Sequence, residues 1–246
     1  MPIFFITTDQ VKNGQLTIAG PLLNHLRKSL RVRVGEEIWF GDDQRRRYLV
    51  RVARIDRREL TGHVLETRTG PGPLHPSIIL GQVLLKGERM DWVVQKAIEM
   101  GVTSLVPLAS HRAIVRPRPG RLLSQQQRWQ RIVLEAAQQS ERWELPTIQA
   151  PCEVKAFFVG QSSNAVRLIL GERCPGESLA TVRLPSGPET QVTLAVGPEG
   201  GWTVEEFGLA FDCGFTTVTL GTRILRSETA TLAALAILQS RLGGLG

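Results

Sequence analysis

Two short segments near the C-terminus hold the residue types best suited to form a ligand site. Residues 194–201 read Leu-Ala-Val-Gly-Pro-Glu-Gly-Gly, and residues 220–230 read Leu-Gly-Thr-Arg-Ile-Leu-Arg-Ser-Glu-Thr-Ala. In each segment an apolar run ends in a glycine-containing loop that leads into a helix. Because α/β proteins form ligand clefts where their strands end in this way, the two segments together predict the cleft of an enzyme.

The composition of the first loop limits the kind of ligand. The glycines of 197–201 allow close approach of the backbone, and the loop precedes a helix, an arrangement that often binds phosphate. However, no Lys-Ser/Thr pair follows, and the carboxylate of Glu199 would repel a phosphate. A ligand with a positive centre and no phosphate fits better. Simpler interpretations stay open: the loop could be a plain tight turn, and Ser227 could only cap the last helix, with Arg223 and Arg226 on its solvated shoulder.

The length and composition indicate a globular chain with its own core. The 246 residues and 42% hydrophobic content leave room for one large domain, or for a large and a small one. The longest apolar tract, 230–238, is shorter than the roughly twenty residues that span a bilayer, and the N-terminus does not resemble a signal peptide. We therefore expect a cytoplasmic protein without a membrane partner. Three cysteines without a Cys-x-x-Cys pair predict neither disulfides nor a metal site.

The net charge of +7 and the sequence pI of about 10.0 suggest a polyanionic partner. The excess is N-terminal, since residues 1–70 hold 13 Lys and Arg against 8 Asp and Glu. Arginine predominates, which suits bidentate phosphate contacts and stacking on bases. The charge favours nucleic acid as the partner, and a basic face that only aids solubility is the alternative. The densest basic positions are Arg27, Lys28, Arg31, Arg33, Arg45, Arg46, Arg47, Arg51, Arg54, Arg57 and Arg58.

A stretch rich in proline and glycine at 69–76 divides the chain. Three prolines and two glycines in eight residues predict a stiff extended linker, because neither helix nor sheet continues through them. We therefore expect a small, mostly β domain over 1–70, with a barrel as its form. Its pattern predicts a short helix over 21–30 and strands over 37–40, 48–55 and 62–65.

After the linker, the pattern alternates between strands and helices. Apolar runs of strand length lie at 78–85, 105–108, 168–170, 192–196 and 217–220. Apolar residues at helical spacing predict helices over 88–100, 121–142 and 228–242, and a capping box at 203–206 begins another. This alternation predicts an α/β domain over 71–246 with a mainly parallel sheet.

Several motifs together resemble those of one enzyme family over nearly the whole chain. Besides the two C-terminal segments, they are Gly-Gln-Val-Leu-Leu-Lys-Gly-Glu-Arg-Met-Asp-Trp at 81–92, Gln-Lys-Ala-Ile-Glu-Met-Gly-Val at 95–102, His-Leu-Arg-Lys-Ser-Leu-Arg at 25–31 and Val-Gly-Glu-Glu at 34–37. The combination is similar to the RsmE family of ribosomal RNA uridine N3-methyltransferases, of the SPOUT class. The resemblance implies an N-terminal PUA-like β-barrel that holds RNA. It also implies a C-terminal α/β domain, tied in a trefoil knot, that binds S-adenosylmethionine.

The resemblance assigns the cofactor to backbone groups and apolar side chains at the ends of three strands. The residues that it implies are Leu170, Gly171, Gly197, Pro198, Glu199, Gly200, Gly201, Leu220, Gly221, Ile224 and Leu225. Methyl transfer to uridine N3 is an in-line displacement that also requires loss of the N3 proton. Arg226 could stabilise the resulting uracilate, and Glu199 or Glu228 is the candidate base, with a phosphate or a water as alternatives.

The resemblance also implies a partner, the RNA of the small ribosomal subunit or of its assembly intermediate. The RNA-binding residues that we expect are Arg27, Lys28, Arg31, Arg33, Lys86, Arg89, Arg112 and Arg223. One departure bears on RNA contacts at the end of the long helix, where 139–143 reads Gln-Ser-Glu-Arg-Trp in place of the family's Cys/Ser-Gly-Arg. The SPOUT class further implies a homodimer, for which the many apolar positions of 231–238 could form the interface.

Two other functions remain as alternatives. The first is a non-catalytic RNA-binding or ribosome-assembly protein of the same fold, which would be expected to lack the loop glycines or Arg226. The second is a SPOUT methyltransferase that acts on another RNA or on a ribose 2′-oxygen, which the N-terminal motifs disfavour. This chain has both the glycines and Arg226, so the sequence favours the methyltransferase.

Overall fold

The computed structural model of the protein describes residues 3–73, 75–116, 119–172 and 174–245. The chain forms two compact units. The N-terminal unit comprises Met1–Gly72 and Ala137–Leu145, and the C-terminal unit comprises Pro73–Ala136 and Pro146–Gly246. Leu74, which belongs to the linker predicted at 69–76, lies outside the described residues.

The N-terminal unit is built on a six-stranded sheet in which, among the described residues, the pairing of its first two strands is parallel and the other pairings are antiparallel. Its strands are β1 (Phe4–Phe5), β2 (Val11–Lys12), β3 (Gln15–Ile18), β4 (Glu37–Gly41), β5 (Arg46–Ile55) and β6 (Leu60–Thr69), in the order β1-β4-β5-β6-β3-β2. A 3₁₀ turn covers Thr8–Gln10. The helix predicted over 21–30 is α1 (Gly20–Asn24) continued by a π turn at His25–Ser29.

The predicted alternation along β5 places one face of the sheet in the core. Tyr48, Val50 and Val52 are buried, whereas Arg51 is exposed. Apolar side chains from the neighbouring strands and from α1 complete this core, among them Leu16, Ile18, Leu23, Phe40 and Leu60. Burial of these side chains is the main source of stability for so small a sheet.

A buried carboxylate organises the turn between β4 and β5. Asp42 is fully buried and accepts hydrogen bonds from the Gln44 N–H at 2.9 Å, the Arg46 N–H at 2.8 Å and the Tyr48 hydroxyl at 2.9 Å. Burial alone raises the pKa of Asp42, but these hydrogen bonds outweigh it and hold the pKa below its usual value. Burial, together with the charge of Asp42, raises the pKa of Tyr48 to about 12.

The segment Ala137–Leu145 packs against β5 and the end of β6 within the N-terminal unit. The guanidinium of Arg47 lies 3.7 Å from the ring centroid of Trp143, which is the stacking geometry of a cation–π pair. Gly70 lies against the same indole, since a Cβ there would lie 2.6 Å from the ring. Arg45 forms an ion pair with Glu144 at 3.2 Å. Two arginines of β5 and its turn are therefore held by this segment.

The C-terminal unit contains an eight-stranded sheet in which every pairing of the described residues is parallel. The strands are β7 (Ser77–Val83), β8 (Ser104–Ala109), β9 (Thr147–Ile148), β10 (Cys152–Glu153), β11 (Val166–Leu170), β12 (Glu177–Ser178), β13 (Gln191–Val196) and β14 (Thr216–Thr219). Their order is β10-β8-β7-β13-β11-β14-β12, and β9 also pairs with β8. The predicted mainly parallel sheet is confirmed.

The helices of the described chain after the linker follow the predicted pattern with one addition. They are α2 (Glu88–Glu99), α3 (Pro119–Gln139), α4 (Val154–Val159), α5 (Val204–Asp212) and α6 (Ser227–Leu242). The capping box at Thr203 begins α5, and Gly243, in a left-handed conformation, ends α6. The pattern did not predict α4. None of the helices in the described ranges is long and apolar enough to cross a membrane.

We expect Asp42→Asn to lower the free energy of unfolding by about 2–3 kcal/mol at neutral pH, because the charged acceptor of several hydrogen bonds is lost. A carboxyl whose folded-state pKa is lowered stabilises fully above its ordinary value of 3.8, and this stabilisation disappears as the pH falls through the folded-state pKa. The difference in the free energy of unfolding between wild type and variant should therefore become smaller in acid. Urea unfolding at several pH values measures this difference.

The neighbouring Asp43→Asn is the matched control, because the Asp43 side chain is exposed. It should change the free energy of unfolding less than Asp42→Asn does. A gap for Asp42→Asn that stays constant from neutral pH to pH 3 would contradict the role assigned to the ionised carboxylate.

Candidate functional site

A cleft of about 910 Å³ lies at the carboxyl ends of three adjacent strands, β13, β11 and β14. Strand β11 lies between the other two, with Leu168 opposite both Leu194 and Thr216. The loops that follow the three strands therefore meet at one edge of the sheet, as the sequence predicted. The residues expected from the resemblance to hold the cofactor all line this cleft: Leu170, Gly171, Gly197, Pro198, Glu199, Gly200, Gly201, Leu220, Gly221, Ile224 and Leu225.

Further residues line the cleft that the sequence did not single out. Trp202 and Phe207 add aromatic surface, and the loop 174–176 closes the side that follows β11. Trp202 directly follows the glycine loop in the sequence, and this position is the feature from which its place in the cleft could have been predicted. The cleft combines apolar side chains with glycine backbone, and lysine is absent from its described lining.

Residue 197 must be a glycine because its backbone packs closely against the indole ring of Trp202. The indole Nε1 of Trp202 donates a hydrogen bond to the carbonyl of Leu170 at 3.0 Å, which joins the loop after β13 to β11. A Cβ on residue 197 would lie 3.0 Å from the same Nε1, closer than side chains normally tolerate. The buried indole is anchored by its hydrogen bond, so a side chain at this position would distort the loop. The loop is therefore more than a plain tight turn.

A buried polar network joins the loop to β7 and to the start of α6. The hydroxyl of Ser227 donates to the carbonyl of Gly197 at 2.6 Å and accepts from Nε2 of Gln82 at 3.1 Å. The hydroxyl of Thr231 donates to Oε1 of Gln82 at 2.5 Å. Gln82 is fully buried within an otherwise apolar strand, a polar exception that the sequence could have revealed. Ser227 forms no cap, since α6 begins after Arg226 without a side-chain capping bond, so the interpretation of Ser227 as a cap is wrong.

Arg112 supports the glycine loop from outside. Its Nη1 donates to the carbonyl of Gly200 at 3.1 Å and to the carbonyl of Trp202 at 3.2 Å. We predicted Arg112 as an RNA contact, and in the structure its guanidinium binds the loop backbone. A contact between Arg112 and RNA stays a prediction. The structure adds a second role for this residue, which is to hold the glycine loop.

The remaining predicted residues of the C-terminal unit lie around the same loops. Arg223 is exposed and lines the cleft, whereas Lys86 is exposed before α2. Arg226 is exposed at the start of α6. Arg89, predicted to bind RNA, forms an ion pair with Glu199, and its Nη1 lies 3.9 Å from Oε2 of Glu228. The two candidate bases therefore share one arginine.

The residues present fit S-adenosylmethionine. Gly197 and Gly171 line the cleft where the backbone packs closely on its neighbours, since a Cβ would lie 3.0 Å from Trp202 at the first position and 2.7 Å from Thr217 at the second. Apolar side chains of Leu170, Leu220 and Ile224 line the cleft and suit a purine. A cofactor without phosphates needs no lysine, and the carboxylate of Glu199 suits a ligand with a positive centre. Among the described residues, no group of three His, Cys, Asp or Glu side chains could hold a metal ion.

Comparison with known families agrees with this geometry. Residues 73–239 match the family described as RNA methyltransferase domain, and residues 18–65 match the RNA methyltransferase PUA domain. The fold and the site thus define an RNA methyltransferase. The matches confirm the predicted fold class, an α/β SPOUT-type domain preceded by a PUA-like domain. The trefoil knot stays a prediction.

Individual relatives give a narrower assignment. The ribosomal RNA small subunit methyltransferase E of Synechocystis is 33% identical over 232 residues, which are 94% of this chain and 75% of the relative. The protein of the same name from Mesomycoplasma hyopneumoniae is 32% identical over 85% of this chain and 87% of its own length. The crystal structure of such an enzyme from Neisseria gonorrhoeae, bound to S-adenosylmethionine, has a TM-score of 0.85 and 33% identity over 98% of both chains. The chain belongs to the ribosomal RNA small subunit methyltransferase E family.

We expect Gly197→Ala to weaken S-adenosylmethionine binding by about tenfold or more, because the added methyl group overpacks the anchored indole of Trp202. Gly197→Val should abolish measurable binding. Isothermal titration with S-adenosylmethionine measures both affinities.

The matched control is Gly208→Ala in α5, where a Cβ meets no atom within 4 Å. This variant should bind as the wild type does, since alanine also favours the helix. Wild-type affinity in Gly197→Ala would contradict the assignment of this loop to the cofactor.

Proposed function

We propose that the protein uses S-adenosylmethionine to methylate N3 of a specific uridine in the 16S RNA of the small ribosomal subunit or of its assembly intermediate. The observation that carries the proposal is the convergence of the three predicted segments in one glycine-lined cleft, whose described lining contains no lysine. Membership of the methyltransferase E family supports the RNA substrate and the uridine N3 position. The S-adenosylmethionine bound to the relative from Neisseria gonorrhoeae supports the cofactor.

The cleft residues have distinct roles in this proposal. Backbone groups of 197–201 and of Leu220 and Gly221 bind the nucleoside part, and the side chains of Leu170 and Ile224 pack against its purine. When bound, S-adenosylmethionine supplies a methyl group on a positively charged sulfur. The network from Gln82 through Ser227 keeps the loop rigid, which preserves the alignment that an in-line displacement needs.

Arg226 is the residue that we assign to the uracil anion. Its neighbour Ser227 is buried and anchored to Gly197, which supports a fixed position for the start of α6. A guanidinium held near the pyrimidine stabilises the negative charge that develops on its oxygens as the N3 proton leaves. Because this charge is greatest in the transition state, Arg226 contributes to turnover more than to cofactor binding.

The predicted RNA-binding cations of the N-terminal unit differ from most of its other arginines, because none of the described ion pairs involves them, and they form the RNA-binding surface in this proposal. Arg45, Arg46, Arg51, Arg54 and Arg68 all form ion pairs within the unit. No ion pair in the described part of the chain involves the predicted cluster of Arg27, Lys28, Arg31 and Arg33. Unpaired guanidinium groups can replace the counterions of RNA phosphates without breaking an internal pair.

We also propose a cytoplasmic homodimer. The cytoplasm is where small-subunit RNA is assembled and modified in bacteria, the source of the relatives. The outer face of α6 supports the dimer, because Leu232, Ala233, Ala236 and Ile237 form an apolar stripe that is only partly buried in one chain. Such a stripe gains stability when a second copy covers it.

We expect Arg31→Gln to weaken RNA binding several-fold and to reduce the slope of log affinity against log salt by about one, because one phosphate contact is lost. Filter binding to small-subunit RNA over a range of salt concentrations measures both quantities. The control is Arg51→Gln, whose guanidinium already binds Glu37 at 2.7 Å. Equal salt slopes in wild type and Arg31→Gln would count against this surface.

We expect Arg226→Ala to bind S-adenosylmethionine as tightly as the wild type and to methylate small subunits about 100-fold more slowly or worse, since one oxyanion donor is worth that much. Radiolabelled methyl transfer to subunits that lack the modification gives the rate. Mass spectrometry of the digested RNA identifies 3-methyluridine. Arg183→Ala, which removes another exposed arginine, controls for the loss of charge.

The same measurements on the wild-type protein separate the alternative functions. Tight cofactor binding with an unmodified uridine would favour another RNA substrate. Absent cofactor binding would favour the non-catalytic RNA-binding protein.

A further inference from the structure

Three charged side chains from three elements meet at the rim of the cleft. They are Arg89 on α2, Glu199 in the loop after β13 and Glu228 in the first turn of α6. Nη1 of Arg89 contacts Oε1 of Glu199 directly and lies 3.9 Å from Oε2 of Glu228. Glu199 lines the cleft, whereas neither of the other two is among its lining residues. Of the two carboxylates, Glu199 is the one that lines the cleft.

Glu228 has an unusual environment for a carboxylate. Its side chain is 14% exposed, and its Oε2 is buried without a hydrogen-bond partner. Buried polar atoms normally find a partner, because an unsatisfied one destabilises the fold. The first turn of α6 favours a negative charge, but it leaves this oxygen unbonded. Stability alone does not explain a carboxylate here, and its described ion pair is with Arg89.

The arrangement couples the charges of the three groups. A positive Arg89 favours the ionised form of each carboxylate, and each ionised carboxylate disfavours ionisation of the other. Glu199 is thus subject to two opposing influences, one from α2 and one from α6.

We propose that Arg89 and Glu228 are positioning residues that set the charge of Glu199, and that Glu199 is the base that removes the N3 proton of the substrate uracil. The proton moves from N3 to a carboxylate oxygen of Glu199, and the electron pair stays on N3. Glu199 becomes a neutral acid and returns the proton to water when the product leaves. The proposal rests on the proposed function, and it decides between the two carboxylates that the sequence left open.

Arg89 is the described ion-pair partner of Glu199, and other charged groups on the surrounding elements bind elsewhere. The carboxylate of Glu206 binds backbone N–H groups of His111 and Thr203, and the guanidinium of Arg112 binds two carbonyls of the loop. Within the described ranges, no ion pair joins Glu199 to the remaining cations on these elements, which are Lys86, Arg223 and Arg226. The remaining carboxylates on these elements are Glu88, Asp91, Glu172 and Glu205.

The pH dependence of methylation tests this coupling, because removing the charge of Arg89 and removing the charge of Glu228 should shift the pH profile in opposite directions. Glu199→Gln should lower kcat by about 100-fold or more while S-adenosylmethionine still binds. Arg89→Met removes the positive charge and should move the acidic limb of the kcat profile up by about one pH unit or more. Glu228→Gln removes a negative charge and should move the same limb down. The double variant Arg89→Met/Glu228→Gln should return towards the wild-type profile.

Lys96→Met provides the matched control on α2, because Lys96 forms an ion pair with Glu99 instead. Its acidic limb should coincide with that of the wild type. A merely structural role for Arg89 would lower activity at every pH and leave the limb where it is. Equal limbs in wild type, Arg89→Met and Glu228→Gln would therefore overturn the proposal.

A second measurement is independent of activity. Selective ¹³C labelling of glutamate carboxyl groups gives one NMR resonance per residue, and the resonance missing in Glu199→Gln identifies Glu199. Without cofactor or RNA, its titration midpoint should rise in Arg89→Met and fall in Glu228→Gln. A midpoint that is the same in both variants would overturn the coupling.

The failures of the two proposals are distinguishable. Wild-type protein that neither binds S-adenosylmethionine nor methylates small-subunit RNA would refute the proposed function. Wild-type protein that methylates uridine N3, together with a Glu199→Gln variant of undiminished kcat, would leave that function standing and overturn the assignment of the base.

Discussion

The hydrogen bond from the Ser227 hydroxyl to the Gly197 carbonyl is the contact on which the site depends. Through Gln82 it ties the end of β7, the glycine loop after β13 and the first turn of α6 into one buried network. Gln82 and Ser227 lie away from water, where an unsatisfied hydroxyl or amide would be costly, so the network favours a single arrangement of the loop. The Trp202 indole adds a second restraint from β11. These two restraints together hold the glycine loop at the edge of the cleft.

The N-terminal unit shows how internal pairing divides a strongly basic surface. Most arginines of β5 and its turns face carboxylates or, for Arg47, an indole, and these contacts stabilise the sheet and the segment Ala137–Leu145. Net charge alone does not distinguish such residues from those available to a partner. The cluster at 27–33 begins within the π turn that continues α1 and includes Arg31 in a left-handed conformation, which directs a short loop of cations to the surface.

The sequence predicts features that depend on local periodicity and fails where contacts join distant residues. Strands β7 and β13 are nearly continuous apolar runs because a parallel sheet buries both faces, and Thr203 caps α5 within a single turn. By contrast, β9, β10 and β12 have two residues each, too few for any period, and α4 has six. The bond between Gln82 and Ser227 spans 145 residues. No local pattern predicts this bond, so the sequence leaves a helix cap open as an alternative for Ser227.

The choice of base illustrates the same limit at the level of chemistry. Glu199 and Glu228 are equivalent in the sequence, since each lies beside a glycine loop or a helix start, where a carboxylate is common. Tertiary structure separates them, because Glu199 lines the cleft while Glu228 is turned inward, and α2 brings Arg89 between them. Glu228 lies outside the cleft lining, so in our proposal it acts on the cleft carboxylate through its charge. In the mechanism that we propose, burial therefore decides which carboxylate accepts the proton and which one adjusts its charge.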